Sequence, residues 1–501
     1  MNERGTIMKH IVILTVVLVA AMVTGHAADA TPVRKPNIVV ILADDLGYGD
    51  VSCLNPDSKI QTPQIDALAA EGAVFTDAHS PSAVCSPTRY SLLTGRYPWR
   101  HPALRVGVLS LWDFPVIAPH EETLPRLLRR AGYDTACIGK WHLGFTWPWK
   151  EDIYSKKRPR ERASFIATTD MFDWSQPIGG GPLGAGFHSY FGAGSPPYSF
   201  IVNDRISSPL VDVDAKMFSA IGVRGNLRNG PGQKDWSIER VMPELTGRAV
   251  RHIEEKSRQD RPFFLYFAAT SPHTPIVPTR QFQGKSAAGY YGDFVVQTDA
   301  AVGQIIQALK AGQCWDNTLL IVTSDNGPEP MIHGVTKDYG HLPAGKLRGM
   351  KWSTWEGGHR VPFVASWPRG GIQGGVRRPE LVCLTDLFAT LAAVGGATPG
   401  SANDSLDVLP TLQGKGRVRT EMVYHGGGLG LGLRRGNWVY LNGGGGKEIP
   451  LQRQILGIES PDTAAQLFDL QSDPSQRVNV ADQHPELVQN MSSRLAELTH
   501  R

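Results

Sequence analysis

Several stretches of this chain are continuous apolar runs without the alternation of a half-exposed strand. They are Asn37-Ile38-Val39-Val40-Ile41-Leu42, the short segment through Ala136-Cys137-Ile138, Phe263-Phe264-Leu265-Tyr266-Phe267, and Thr318-Leu319-Leu320-Ile321-Val322. A strand with one face in water reads apolar and polar in turn. A run with no alternation belongs to a strand covered on both faces, the habit of parallel sheets flanked by helices. Helical patterns fall between the runs. Thr62-Pro63 opens one through Ile65, Leu68 and Ala69 that Gly72 stops, and others cover Glu122 to Ala131, Phe294 to Leu309 and Leu384 to Gly395. The expectation is an α/β fold around a mostly parallel sheet. Each run is followed by side chains with chemistry: Asp44-Asp45, then Lys140 and His142, His273, and Asp325-Asn326. Open α/β sheets bind ligands at those carboxyl ends.

The chain's 501 residues exceed one small core, so a large domain and a smaller one are expected. A formal net charge of +4 is slight for this length and argues against a nucleic-acid partner or a polybasic membrane patch. Arg4 and Lys9, an apolar run from Ile11 to Val23 and the small residues up to Ala30 read as a secretory signal peptide. The run is short for a membrane span, so an exported mature protein without one is expected, periplasmic or secreted. The five cysteines, Cys53, Cys85, Cys137, Cys314 and Cys383, contain no Cys-x-x-Cys pair and make a poor zinc or redox set. With Cys85 set apart, the other four leave zero, one or two disulfides open.

The segment Ser82-Ala83-Val84-Cys85-Ser86-Pro87-Thr88-Arg89-Tyr90-Ser91-Leu92-Leu93-Thr94-Gly95-Arg96 is the most specific in the chain. Pro87 suits the first turn of a helix, which puts Cys85 at the helix N-terminus, where free N–H groups favour an anion. Arg89, one turn on, adds a permanent charge on the same side. This segment resembles the signature of the type I sulfatases, of the arylsulfatase and N-acetylgalactosamine-6-sulfatase kind. Other motifs resemble that family in its order: Asp44-Asp45-Leu46-Gly47-Tyr48-Gly49-Asp50, Gly139-Lys140-Trp141-His142-Leu143-Gly144, Pro272-His273-Thr274-Pro275, Asp325-Asn326-Gly327, and Lys351 five residues before Glu356-Gly357-Gly358-His359-Arg360.

The resemblance implies an alkaline-phosphatase-like sandwich, with a catalytic domain over 31–414 after a leader at 1–30 and an α+β subdomain over 415–501. It implies that a maturation enzyme converts Cys85 to formylglycine, whose hydrate is the nucleophile, held by Arg89 and the metal. In the same family pattern Asp44, Asp45, residue 85, Asp325 and Asn326 hold the metal; Lys140 and Lys351 bind sulfate; His142 contacts the formylglycine hydroxyl; and His273 faces the leaving group. The protein-derived donors are all oxygen, which suits Ca²⁺ or Mg²⁺; similarity to the family favours Ca²⁺. The implied activity is hydrolysis of a sulfate ester on a carbohydrate or aryl group. Two alternatives stay open: a phosphonate monoester or phosphodiester hydrolase of the same superfamily, and an exported carbohydrate-binding protein with an inactive site. Lys346 and the stretches 194–198 and Asn203-Asp204-Arg205 are candidate substrate contacts, and the basic stretch Lys150 to Arg162 reads as exposed loop.

Overall fold

Strand β1 (Asn37–Asp44) is buried along its whole length, and its side chains divide between two cores. Ile38, Val40 and Leu42 enter one apolar cluster, and Val39, Ile41 and Ala43 enter the other. This is why the run shows no alternation: successive residues point to opposite faces, and both faces are covered. The computed structural model describes residues 34–105, 107–152, 154–157, 161–162, 164–194, 196–218, 225, 227–400, 404–428, 430–446, 449–458 and 465–500. The expected leader, residues 1–30, lies outside them, as do Ser195 and parts of the basic stretch 150–162.

The sheet around β1 also contains β2 (Ala73–Phe75), β3 (Asp134–Gly139), β4 (Ser189–Ala193), β5 (Phe200–Val202), β6 (Arg205–Ile206), β7 (Phe263–Pro272), β8 (Thr318–Ser324), β9 (Phe363–Ser366) and β10 (Val376–Arg378). Its order is β10-β2-β9-β8-β1-β7-β3-β4-β5-β6. The central strands β8, β1, β7, β3 and β4 run parallel, while β9 and β5 pair antiparallel to the strands beside them. Ile38 stands opposite Phe264 on one side and Leu319 on the other. That register brings the ends of β1, β7 and β8 to one edge.

Helices cover both faces. On one lie α1 (Pro63–Glu71), α4 (Val241–Lys256) and α5 (Gly289–Ala311), and on the other α2 (Cys85–Thr94), α3 (Leu124–Arg130) and α6 (Leu387–Val394). The start and stop signals act as expected. Thr62 and Gly72 flank α1 with Pro63 at its first position, and Gly95 ends α2 in the left-handed conformation. No helix among the described residues is long and apolar enough to cross a membrane. All five cysteines are free thiols.

Past residue 414 the chain forms a four-stranded antiparallel sheet, β11 (Glu421–His425), β12 (Leu431–Arg435), β13 (Trp438–Leu441) and β14 (Gln466–Asp469), followed by α7 (Pro485–Thr499). One face packs on Trp355 and Cys383, the other on Tyr97, Trp99, Met491 and Leu495. Residues 36–501 form one compact unit. A buried charge cluster crosses the seam. Asp77 accepts from Arg360 (2.9 Å) and from Arg434 of β12 (3.1 Å), and His79 Nε2 lies 2.9 Å from its carboxylate.

Two outcomes follow. Gly139 ends β3 at φ +116°, and a Cβ there would lie 1.8 Å from the Ala268 carbonyl oxygen. Gly139→Ala should therefore destabilise the protein by about 2–4 kcal/mol, read as a lowered denaturant midpoint; an unchanged midpoint would show that β3 and β7 can separate there. Against the upward push of burial, the His79 hydrogen bond and the Arg360 and Arg434 charges hold the Asp77 carboxyl well below the usual range. Its contribution is full above the unfolded value of about 3.9 and is lost as pH falls through the folded one. Asp77→Asn should cost about 3–5 kcal/mol at neutral pH by leaving two guanidinium groups under-compensated, and the gap to wild type in thermal melts should narrow in strong acid. A constant gap would remove Asp77 as its source.

Candidate active site

The residues singled out in the sequence come together at the carboxyl edge of the central strands. Asp44 ends β1 and Asp45 follows it, Asp325 and Asn326 follow β8, His273 follows β7, and Lys140 and His142 follow β3. Cys85 is the first residue of α2, and the loop carrying Lys351 is tied to the end of β8 through Lys351 N donating to the Pro328 carbonyl (3.0 Å). Because β1 lies between β7 and β8 in register and β3 pairs with β7, four strand ends deliver polar side chains to the spot that Cys85 and Lys351 also reach.

Arg89 is the fully buried centre of the charge lattice. Its Nε and Nη2 donate to Asp325 Oδ2 at 3.0 and 2.7 Å, and its Nη1 donates to the Lys140 carbonyl at 3.1 Å. Nη2 also approaches Asp44 Oδ1 at 3.4 Å. Lys140 Nζ lies 2.8 and 2.7 Å from the two oxygens of Asp44, and Lys351 Nζ lies 2.8 Å from Asp45 Oδ2. Although burial opposes it, Lys140, His273 and Arg89 hold the Asp44 carboxyl well below its usual range. Burial and the neighbouring Asp44 and Asp45 charges push the Asp325 carboxyl up, with Arg89 opposing. Carboxylates crowded in this way favour a cation between them.

Cys85 Sγ sits 3.2 Å from His142 Nδ1, and His142 Nε2 lies 3.1 Å from the Leu109 carbonyl oxygen. A carbonyl can only accept, so Nε2 carries the hydrogen and the Nδ1 lone pair faces residue 85. Burial, with Lys140 and Arg89 nearby, drives the His142 imidazole well below its ordinary value, leaving it neutral. Burial likewise pushes the Cys85 thiol up, against the Lys140 and Lys351 charges. Cysteine nucleophiles are activated by a lowered value, so this thiol is unsuited to attack as a thiolate. His273 directs Nδ1 to the Thr274 carbonyl, which leaves Nε2, 3.6 Å from Asp45 Oδ2, to exchange a proton.

The residues present fit a divalent metal. Ligand atoms of Asp44, Cys85 and Asp325 lie within 4.8 Å of one another. Asn326 donates Nδ2 to Asp45 Oδ1 (2.7 Å), while its buried Oδ1 has no partner among the described residues. An orphaned buried oxygen beside crowded carboxylates is a ligand set for a hard cation.

The sulfatase family profile matches residues 36–397. The chain belongs to the sulfatase family. It is 34% identical to an N-acetylgalactosamine-6-O-sulfatase of Bacteroides thetaiotaomicron over 93% of this chain and 94% of that one. It is 35% identical to human arylsulfatase A over 79% of this chain and 72% of that one. A solved structure from the glycosaminoglycan-metabolism locus of B. thetaiotaomicron superposes with a TM-score of 0.77 at 31% identity, covering 93% of this chain and all of that one. The protein is thus a sulfuric ester hydrolase, and sulfatases in general use a metal and formylglycine.

Sequence reasoning missed two partners in this sulfatase. Glu329 Oε2 lies 3.1 Å from Lys351 Nζ, and the Leu109 carbonyl sets the His142 tautomer. Glu329 lies four residues past Asp325, and only the fold shows that Lys351 meets it; a backbone carbonyl leaves no signal in sequence. Lys346, by contrast, is an exposed surface pair with Asp57 at 3.7 Å. Asn326→Ala should weaken calcium affinity at least roughly tenfold by titration calorimetry. Unchanged affinity would remove Asn326 from the ligand set.

Proposed function

We propose that this sulfatase is exported and removes a sulfate ester from a carbohydrate, with 6-O-sulfated N-acetylgalactosamine the favoured unit and Cys85 converted to formylglycine. The observation that carries the reading is the setting of residue 85. It is a helix N-terminal side chain, poorly suited to be a thiolate, faced by a neutral histidine lone pair and flanked by Arg89, Lys140 and Lys351. A cavity of 470 Å³ opens beside it, lined by Asp44, Lys140, His142 and His273 at one end and by Trp147, Tyr190 and Trp236 beyond. Its size and partly aromatic lining suit a sugar. The relatives' names supply the sugar, and the basic, apolar and small-residue pattern of 1–30 supplies export.

As a hydrated aldehyde, residue 85 would offer one hydroxyl to attack sulfur and a second that, on losing its proton, would break the bond from carbon to the sulfated oxygen, expel sulfate and restore the aldehyde. Ca²⁺ held by Asp44, Asp45, residue 85, Asp325 and Asn326 would supply positive charge toward the sulfate oxygens. The chain's own groups do the rest. His142 Nδ1 accepts the proton of the residue 85 hydroxyl as it attacks. Lys140 and Lys351 meet the growing charge on the sulfate oxygens; against the downward push of burial, Asp45 and Glu329 are among the charges that keep the Lys351 ammonium protonated well above its ordinary range. His273 enters this step as the imidazolium, a form that burial and the Lys351 charge oppose and the Asp45 and Asp44 charges favour, and gives its Nε2 proton to the departing sugar oxygen while Nδ1–H stays on the Thr274 carbonyl. Arg89, fixed to Asp325, holds the lattice in place.

The test is the mass of the tryptic peptide Ile60 to Arg89 from the native host, together with Cys85→Ala. Formylglycine at position 85 and loss of turnover with an unchanged fold are expected. An unmodified thiol, or near-wild-type turnover by the variant, would end the reading. Amino-terminal sequencing of the mature protein checks export: a start at residue 28, 29 or 31 is expected, and an intact residue 1 contradicts it.

A further inference from the structure

Trp352, the residue after Lys351, sits at φ +78°. For a large side chain that is a strained conformation, retained only where the surroundings over-determine it, and such outliers cluster at functional sites. The surroundings here are specific. Trp352 N donates to the Ala83 carbonyl (2.9 Å), two residues before Cys85, and Gly427 N donates to the Trp352 carbonyl (3.1 Å). A Cβ at Gly427 would lie 1.8 Å from ring atom Cε3, so the indole packs directly on glycine backbone. Gly107 flanks the ring near Cζ3, and the following residue, Val108, lines the active-site cavity.

Trp352 is nevertheless 38% exposed. Trp355 shows the difference: it is fully buried, with Arg348 over its ring at 3.9 Å and its Nε1 bonded to Gln466. Among the described residues Trp352 has no stacked ring or cation. The second glycine tract, Gly443 to Gly446, braces the same loop, for Thr354 N donates to the Gly445 carbonyl at 2.8 Å and a Cβ at Gly446 would meet Ser353 at 3.0 Å. Both glycine tracts of the C-terminal sheet thus hold a strained, half-open tryptophan next to a sulfate-binding lysine.

We propose that Trp352 is a stacking platform for a sugar ring of the sulfated saccharide whose sulfate rests between Lys140 and Lys351. A rigid indole offers a large apolar face at low entropic cost, matching the C–H face of a pyranose. This rests on the carbohydrate reading above.

The experiment measures kcat/KM of formylglycine-bearing enzyme on an oligosaccharide containing N-acetylgalactosamine 6-sulfate and on nitrophenyl sulfate, which has no sugar. Trp352→Asn, whose side chain tolerates the left-handed backbone, should lower the saccharide-to-aryl ratio about tenfold, the loss of one aromatic anchor, mainly through KM. Trp352→Phe should restore most of the ratio. An unchanged ratio in Trp352→Asn, or an equal fall on both substrates, overturns the platform. Wild-type enzyme that turns over the aryl ester and not the saccharide overturns the carbohydrate reading, and the platform with it.

Discussion

The two hydrogen bonds that Arg89 donates to a single oxygen of Asp325, deep in the molecule and out of water, are the interaction on which the site depends. A guanidinium buried this completely is tolerable only with carboxylates beside it, and those carboxylates only with cations of their own. The lattice therefore extends through Asp44 to Lys140 and through Asp45 to Lys351. Counting Glu329 beside Lys351, the carboxylates exceed the Arg and Lys charges by one. A divalent cation together with a singly charged sulfate ester would bring that count of formal charges to zero.

That lattice is held by elements distant in sequence. The segment just before Cys85 is hydrogen-bonded to the end of β11, with Ala83 N donating to the His425 carbonyl at 2.9 Å and His425 N donating to the Pro81 carbonyl at 3.1 Å. The C-terminal sheet is accordingly part of how residue 85 is aimed. Asp77 with Arg360 and Arg434 locks the same sheet to the strand segment leading into the active-site loop. Catalytic sites need side chains fixed to fractions of an ångström, and positions on loops gain that fixity only from a second layer of contacts.

Much of this was readable in the residues. The unalternating runs gave the buried parallel strands, and their neighbours Asp44, Lys140, His273 and Asp325 stand at carboxyl ends as such sheets require. Thr62-Pro63 and Gly72 bounded a helix to the residue, and the Cys85-x-Pro87-x-Arg89 spacing placed a thiol and a guanidinium one turn apart. Strand β12 was not read, because Leu431-Gly432-Leu433-Arg434-Arg435 is short and rich in glycine and arginine; its inward arginine is stable only because Asp77 waits across the seam. The role of the glycine tracts was equally hidden, since what they accommodate, the rings of Trp352 and Trp355, lies far away in sequence.

The division has a physical reason. Sequence by itself determined local matters: which runs must be buried on both faces, where helices start and stop, and which donor types are available for a hard cation. Only the tertiary structure decided how the charges balance, which nitrogen of His142 faces residue 85, and which buried oxygen of Asn326 is left without a partner. Those depend on distances between segments hundreds of residues apart, and neither periodicity nor propensity carries that information.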